Sequence, residues 1–150
     1  MRIGDIMTTK VETIAPTEPA ATARYRMREQ NIRHLVVVDG KHVVGVISDR
    51  DLGGPLVDEA KLAQMTVAEI IDKHPITTTP HATIRDAANL LRGNVIGCAP
   101  VIDGDRLVGI VTTTDLLDLV GRGAERPVDQ AKRWTLKHRG PRQHKSRRPR

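Results

Sequence analysis

The sequence predicts a mixed α/β (α+β) protein with two pseudo-symmetric copies of one β-α-β-β-α unit packed together. Two observations lead to this prediction. Residues 1–64 align on residues 65–128 in one register without a gap, and each half contains two apolar runs that flank an Asp-Gly pair. The matched residues include Pro16 and Pro80. A single register held over such a span indicates an internal repeat.

Each copy opens with a short helix and a short extended segment. Residues 66–69, Thr-Val-Ala-Glu, have the pattern of a capping box and predict the start of a helix. Residues 3–7 are the counterpart in the first copy. Extended segments come next at residues 11–15 and 76–79, and each ends at a proline. The next segment of each copy is predicted to be a helix of about a dozen residues, because its apolar residues recur with helical spacing.

A β-hairpin comes after this helix in each copy. Asp-Gly pairs favour tight turns between strands, because glycine adopts positive φ without strain. The predicted strands cover residues 35–38, 43–47, 99–102 and 107–111. Strands that are apolar on both faces need cover on both sides, and a unit of about 50 residues is too small to provide it alone. The two copies should therefore pack against each other.

A closing helix completes each copy. It is predicted to begin at about Asp49 in the first copy and about Thr113 in the second. The resulting organisation is a first repeat over residues 2–58, a second repeat over residues 66–122 and a basic C-terminal tail over residues 123–150.

The net charge of +6 is unevenly distributed along the chain. Residues 121–150 contain 11 Lys and Arg against 2 Asp and Glu, a net charge of +9, whereas residues 1–120 contain 13 against 16, a net charge of −3. From Lys137 onward the only apolar residues are two prolines, so this end of the chain cannot bury enough surface to fold alone. The sequence therefore predicts a mildly acidic body with a disordered basic tail.

Composition excludes several classes of protein. Cys98 is the only cysteine, so no intramolecular disulfide can form. Apolar runs such as residues 35–38 are too short to cross a membrane, and the N-terminus lacks the apolar stretch of a signal peptide, so a cytoplasmic protein without membrane contact is expected. The six histidines show no metal-ligand spacing, and no nucleophile, base and oxyanion site come together. We expect no metal, no required cofactor and no enzymatic activity.

The duplicated motifs resemble a tandem pair of CBS domains, an arrangement called a Bateman module, here as a free-standing protein. Such repeats combine an Asp-Ile-Met-like opening, an extended segment ending in Pro, a strand ending in Val-Asp, and a Gly-x-x-Ser/Thr-x-x-Asp motif. In the first copy these are Asp5-Ile6-Met7, Thr13-Ile14-Ala15-Pro16, Val37-Val38-Asp39 and Gly45-Val46-Ile47-Ser48-Asp49-Arg50-Asp51. In the second copy they are Glu69-Ile70-Ile71, Thr77-Thr78-Thr79-Pro80, Val101-Ile102-Asp103 and Gly109-Ile110-Val111-Thr112-Thr113-Thr114-Asp115.

The resemblance implies a homodimeric module with two clefts that bind AMP, ADP, ATP or an S-adenosylmethionine-like ligand. In this family the Asp of the Ser/Thr-x-x-Asp motif hydrogen-bonds both ribose hydroxyls, and the Ser or Thr contacts phosphate. The matching residues are Asp51 and Asp115 for ribose, and Ser48 and Thr112 for phosphate. A carboxylate can accept two hydrogen bonds at once, as a cis-diol requires.

The two clefts are not equivalent in sequence. Arg33, His34 and Arg50 surround the first motif and are predicted to contact phosphate. The corresponding residues of the second copy are Gly97, Cys98 and Thr114. If only one cleft holds a polyphosphate, we expect the one that contains Asp51.

The base pocket is also assigned from the resemblance. It comprises Thr13, Ile14, Ala15 and Leu35 in the first copy, and Thr77, Thr78 and Ala99 in the second. In an alternative interpretation, Asp51 and Asp115 only cap the closing helices, while Arg33 and Arg50 are solvated surface residues. The sequence leaves both interpretations open.

Two functions are expected from these patterns. The first is a regulatory ligand-binding module that acts in trans on an unidentified protein partner, because this chain contains no catalytic domain. The alternative is a nucleic-acid-associated dimer that contacts DNA or RNA through residues 132–150, where basic side chains neutralise phosphates and Trp134 stacks on a base. Intact Ser/Thr-x-x-Asp motifs in both copies favour the first function.

Overall fold

The computed structural model of the protein describes residues 1–54 and 57–122. The chain begins with α1 (Ile3–Ile6), β1 (Thr13–Ile14), α2 (Ala20–Gln30), β2 (His34–Asp39), β3 (His42–Ser48) and α3 (Glu59–Gln64). It continues with α4 (Val67–Ile70), α5 (Ile84–Asn94), β4 (Cys98–Asp103), β5 (Arg106–Thr112) and α6 (Thr113–Arg122). A short helix, a longer helix and two strands recur in the same order in each half, which confirms the predicted fold class. The predicted tail lies outside the described residues.

Two separate sheets carry the strands. The first has the order β1-β2-β3, with β1 parallel to β2 and β2 antiparallel to β3. The second is the antiparallel pair β4-β5, and the counterpart of β1 is reduced to a single bridge between Thr78 and Val101. Both hairpins turn at an Asp-Gly pair, where Gly40 has φ +60° and Gly104 has φ +64°. The predicted hairpin turns are confirmed.

The closing helix of the first copy differs from the prediction. The second copy has this helix, α6, directly after β5 as predicted. In the first copy, β3 leads into turns from residue 49 to residue 53, and α3 begins only at Glu59. Gly53 and Gly54 have φ +82° and +68°, a conformation that a right-handed helix excludes. The prediction was wrong because it extended the repeat and gave no weight to these two glycines.

The opening helix of each copy packs on the other copy. The backbone N–H of Ile3 donates to the carbonyl oxygen of Ala82 at 2.9 Å, and the N–H of Val67 donates to that of Glu18, also at 2.9 Å. Ile3 and Ile6 are buried with core residues of the second copy, such as Val101. In the same way, Val67 and Ile71 are buried with the core of the first copy. Each hydrophobic core is therefore completed by the opening segment of the other copy.

The glycine that starts each Gly-x-x-Ser/Thr-x-x-Asp motif makes room for this exchange. A Cβ atom on Gly45 would lie 2.8 Å from Cδ1 of Ile71 and 3.0 Å from the carbonyl oxygen of Asp72. A Cβ atom on Gly109 would lie 2.5 Å from Sδ of Met7 and 3.0 Å from the carbonyl oxygen of Thr8. Any side chain at these two positions would push the opening segment away.

A third group of apolar side chains joins the two sheets. Val36, Cys98 and Ile110 are buried together, with partly buried neighbours from both copies. The predicted packing of one copy against the other is thus observed. Within residues 1–54 and 57–122, no helix is long and apolar enough to span a bilayer.

Candidate functional site

Two matched turns carry four of the predicted site residues. The N–H of Ser48 donates to Oδ2 of Asp51 at 2.8 Å, and the N–H of Asp51 donates to Oγ of Ser48 at 3.1 Å. In the second copy the N–H of Thr112 donates to Oδ2 of Asp115 at 2.9 Å, and the N–H of Asp115 donates to Oγ1 of Thr112 at 3.1 Å. These mutual hydrogen bonds fix each carboxylate beside the hydroxyl of its motif.

Each turn is attached to the start of the neighbouring strand. The N–H of Asp49 donates to the carbonyl oxygen of Arg33 at 2.9 Å, and His34 pairs with Ser48 in the β2-β3 ladder. The equivalent bond in the second copy joins Thr113 to Gly97, also at 2.9 Å. The structure therefore brings Arg33 and His34 to the turn of Ser48, as expected from the sequence.

The two aspartates differ in exposure and in the backbone that comes after them. Asp115 is only 8% exposed and lies in the first turn of α6. Asp51 is exposed and leads into turns rather than an α-helix. The alternative interpretation, in which the aspartate only caps a closing helix, fits Asp115 but does not describe Asp51.

The first turn lies beside the second copy. A Cβ atom on Gly97, just before β4, would lie 3.0 Å from Nε2 of His34, at the start of β2. Asp51 is close enough to affect both His34 and Cys98 electrostatically. Sequence reasoning assigned residues 97 and 98 to the second cleft only. Nothing in the repeat pattern indicates that they approach the first turn as well.

Burial controls the titration of two side chains in this region. The pKa of His34 is lowered mainly by desolvation, against which the charge of Asp51 acts to raise it; Arg33 lowers it further and Asp49 raises it. Burial raises the pKa of the Cys98 thiol to about 12, and the charge of Asp51 adds to this effect. Cys98 is thus a protonated, buried side chain rather than a nucleophile at neutral pH.

Positive charge is available at the first turn. Arg33 and Arg50 are exposed, and neither forms an ion pair with another residue in the described ranges. The corresponding positions of the second copy are Gly97 and Thr114, which carry no charge. An anionic group near Ser48 would find two cations that have no competing partner.

The predicted base-pocket residues fall into two groups. Thr13 and Thr77 are exposed, and Ala15 and Thr78 are partly exposed. The other three, Ile14, Leu35 and Ala99, are buried in the cores. Burial leaves these three side chains little surface that a ligand could contact, and the assignment of all seven residues stays a prediction.

Two further predictions concern metals and the tail. In the part of the chain that the structure describes, no three His, Cys, Asp or Glu side chains are grouped as a metal site would require. The proposed nucleic-acid contact at residues 132–150 falls outside the described residues.

Comparison with known families identifies the repeat. The model of the CBS domain matches residues 3–52 and again residues 67–122. The chain belongs to the CBS-domain family. Among curated relatives, the CBS domain-containing protein YhcV of Bacillus subtilis is 29% identical over 76% of this chain and 81% of its own length. The CBS domain-containing protein DDB_G0289609 of Dictyostelium discoideum is 32% identical over 79% of this chain and 90% of its own length.

Solved structures have the same fold as this CBS pair. The CBS domain pair of protein MJ0100, in complex with 5′-methylthioadenosine and S-adenosyl-L-methionine, is 30% identical with a TM-score of 0.71, and the match covers 81% of this chain and 97% of that one. An acetoin utilization protein (AcuB) of Vibrio cholerae is 28% identical with a TM-score of 0.67, over 82% of this chain and 97% of that one.

Some relatives are enzymes that contain a CBS pair as a part. The inosine-5′-monophosphate dehydrogenase of Korarchaeum cryptofilum is 33% identical over 71% of this chain, but the match covers only 21% of the enzyme. For the homoserine O-acetyltransferase of Methanosphaerula palustris the covered share is 24%. The likeness to these enzymes is therefore limited to a small share of their length.

Proposed function

We propose that this CBS pair is a regulatory module that binds an adenosine nucleotide, AMP, ADP or ATP, or an S-adenosylmethionine-like ligand. One observation carries the proposal: the chain folds two Ser/Thr-x-x-Asp motifs into turns with the same hydrogen bonds, one at the end of β3 and one at the end of β5. A relative of the same fold, at 30% identity, holds two adenosyl ligands. We infer an adenosyl site at each turn.

The first turn offers the groups that a ribose requires. Oδ2 of Asp51 accepts the hydrogen bond from Ser48, and Oδ1 has no partner within residues 1–54 and 57–122. The exposed carboxylate retains capacity to accept from two hydroxyls, because each oxygen has two lone pairs. In the proposal, Asp51 holds the ribose diol of a ligand in the first cleft, and Asp115 has the same role in the second.

Phosphate groups would lie on the other side of the first turn. The Ser48 hydroxyl, Arg33 and Arg50 supply donors and positive charge there, and His34 adds further positive charge on that side when it is protonated. A polyphosphate would raise the pKa of His34, opposing the effect of burial. The second cleft has the Thr112 hydroxyl but no arginine at the equivalent positions, so it suits an adenosyl ligand with less negative charge.

Regulation would act on a separate protein. We infer no catalytic activity and no required cofactor for this chain, and an unidentified partner in trans. Each core contains a segment of the other copy. A ligand that shifts the turn of one copy therefore also acts on the packing of the other copy. The effect on a partner cannot exceed the difference in ligand affinity between two conformations.

We also propose that this chain forms a homodimer. Leu117 and Val120 of α6 are 65% and 79% exposed, and residues three apart share one face of a helix. A second copy of the chain would cover this face. Light scattering should report a dimer for the wild type and a monomer for a Leu117→Lys, Val120→Lys variant. An unchanged mass for that variant would place the dimer contact elsewhere.

Calorimetry with matched variants tests the ligand site. AMP, ATP and S-adenosylmethionine are titrated into the wild type, Asp51→Ala, Asp115→Ala and the double variant. Loss of two charge-assisted hydrogen bonds should weaken binding at the altered cleft on the order of 100-fold. Asp105→Ala, which changes an exposed aspartate in the β4-β5 turn, is the control. Equal binding by the double variant and the wild type would remove the proposed role of both aspartates.

The nucleic-acid alternative depends on the tail. The net charge of +9 in residues 121–150 is the observation that favours it. Filter binding of DNA and RNA to the full chain and to residues 1–126 at two salt concentrations tests it. Binding that weakens with salt and is lost on truncation would support the alternative. Binding that is unchanged by truncation would eliminate it.

A further inference from the structure

A buried guanidinium with too few acceptors lies between α2 and the turns after β3. Arg24 of α2 is only 4% exposed. Its Nη2 donates a hydrogen bond to the carbonyl oxygen of Gly54. The atoms Nε and Nη1 are buried, and among the described residues neither has a hydrogen-bond partner. Nε carries one N–H group and Nη1 carries two, so most of the donors of this side chain lack an acceptor.

Burial leaves this side chain with an unmet need for hydrogen-bond acceptors. The guanidinium of arginine carries a positive charge, so Arg24 is a buried cation. A buried cation without acceptors is strongly destabilising, and native structures pair such groups or hydrogen-bond them fully. The arrangement around Arg24 is therefore completed by an acceptor that the described chain does not supply.

A pocket adjoins the side chain of Arg24. Its volume is about 180 Å³, and its wall is formed by Ala21, Arg24, Tyr25, Arg28, Glu59 and Leu62, from α2 and α3. Arg28 and Glu59 bind each other, with Nη1 and Oε1 2.8 Å apart, so their charges cancel. Arg24 forms no ion pair among the described residues. The pocket is thus a small, partly apolar space whose wall includes a cation without an acidic partner in that part of the chain.

We propose that this pocket is a binding site for a small oxyanion, a phosphate or carboxylate group that accepts hydrogen bonds from the guanidinium of Arg24. Anion oxygens are the acceptors that pair best with a guanidinium, since both partners are charged. The site belongs to the first copy alone, because the repeat offset places Ala88 at the position of Arg24 and Asn89 at that of Tyr25.

The site is separate from the two clefts. None of its wall residues belongs to a Ser/Thr-x-x-Asp motif or was assigned to ribose, phosphate or base. The proposed anion site can therefore be tested independently of the proposed adenosyl sites. Sequence reasoning missed it because an arginine on an amphipathic helix is normally a surface residue, and only the fold shows that this one is buried.

The pocket contains its own spectroscopic probe. Tyr25 is the only tyrosine of the chain, so incorporation of 3-fluorotyrosine gives a single ¹⁹F resonance from the pocket wall. The full chain is titrated with inorganic phosphate and, separately, with acetate, against NaCl of equal ionic strength. We expect a saturable shift with at least one of the two anions. A stronger response to phosphate would identify a phosphate group as the ligand, and a stronger response to acetate a carboxylate.

Three variants locate the binding. Arg24→Met keeps the length of the side chain and removes its donors, and we expect affinity for the anion to fall about 10-fold or more. Arg85→Met, which removes an exposed arginine from α5, and Asp51→Ala, which alters the first cleft, should leave the titration unchanged.

Two results would overturn the proposal. One is a ¹⁹F shift in the wild type no larger than that caused by NaCl. This result does not depend on whether a variant folds. The other is a saturable shift that persists in Arg24→Met, which would place the anion elsewhere. Urea unfolding without anion checks that Arg24→Met is folded, and it should be at least as stable as the wild type because an uncompensated buried charge is removed.

Discussion

The two copies share one turn but continue from it differently. The hydrogen bonds of the turns agree closely, at 2.8 and 3.1 Å in the first copy and 2.9 and 3.1 Å in the second. Yet α6 continues directly from the second turn, whereas no α-helix begins at the first turn, which is followed by Gly53 and Gly54 with positive φ. The turn is therefore a local structure that forms with or without a helix behind it. Four predictions test which features are common to both copies and which belong to one.

The largest effect is expected at the glycines that both copies share. Gly45→Ala and Gly109→Ala each place a Cβ atom 3.0 Å from a backbone carbonyl oxygen of the opening segment of the other copy. Each should lower the free energy of unfolding by about 1–3 kcal/mol, as overpacking of a core does. Urea denaturation measures this, and the two losses should be similar.

The control for these variants is a third glycine. A Cβ atom on Gly93 in α5 would have no neighbour within 4 Å, so Gly93→Ala should raise stability by about 0.5–1 kcal/mol through helix propensity. If Gly45→Ala or Gly109→Ala behaved like Gly93→Ala, the close approach of the opening segments would be contradicted.

The next largest effect is a difference in stability between variants of the two aspartates. Asp115 is buried in the first turn of α6, and its carboxylate accepts a hydrogen bond from the N–H of Thr112 as in a capping box, so Asp115→Ala should cost about 1–2 kcal/mol of stability. Asp51 is exposed and no α-helix begins at its turn, so Asp51→Ala should cost clearly less. Thermal or urea unfolding without ligand compares the two. Equal losses would mean that the turns, and not α6, determine the contribution of the aspartate.

A smaller effect is expected where α2 and α5 end. Asn31 and Val95 occupy equivalent positions with φ +52° and +53°. Asparagine tolerates this left-handed conformation, but a β-branched side chain is strained there, and Val95 is 83% exposed with little packing to offset the strain. Val95→Asn should raise stability by about 1 kcal/mol, and Asn31→Val should lower it by a similar amount. Urea unfolding measures both changes in stability, and the prediction requires that they have opposite signs.

The smallest effect concerns His34 and acid. The fold lowers the pKa of His34 below 6.5, chiefly by desolvation, so the unfolded chain binds a proton more readily. The stability contributed by neutral His34 is complete above pH 6.5 and is lost as the pH falls through the pKa of the folded state. His34→Gln should therefore weaken the dependence of unfolding free energy on pH in this range. Its counterpart Cys98 has a pKa of about 12 and contributes nothing there.

Polyphosphate binding adds a second measurement on the same side chain. If phosphate groups lie beside His34, ATP should raise its pKa and cause proton uptake at a pH of about 6. Calorimetry in buffers of different ionisation enthalpy detects this uptake, and His34→Gln should abolish it. Uptake that persists in the variant would place the phosphates away from His34.

Features present in both copies were predictable from the sequence. The hairpin turns at Gly40 and Gly104 and the helix at Thr113 arise from local patterns that agree with the fold. The absence of a closing helix directly after β3 could not be read from the repeat, because positive φ at Gly53 and Gly54 overrides it. Prediction fails where two equivalent positions carry different backbone preferences.

The site was only partly predictable for a different reason. The pairing of Ser48 with Asp51 depends on a spacing of three residues and is visible in sequence. The approach of Gly97 to His34 and the burial of Arg24 depend on packing between segments far apart in the chain. Periodicity describes one element at a time and contains no information about such contacts.

The exchange of opening segments means that the repeat in sequence is not the unit that folds. Val67 and Ile71 belong to the second copy in sequence but are built into the first core, and Ile3 is built into the second. A chain cut between the copies would leave each fragment with a core that only the other can complete. The two halves should then behave as complementary fragments, each incompletely folded alone and recovering the native fold when mixed.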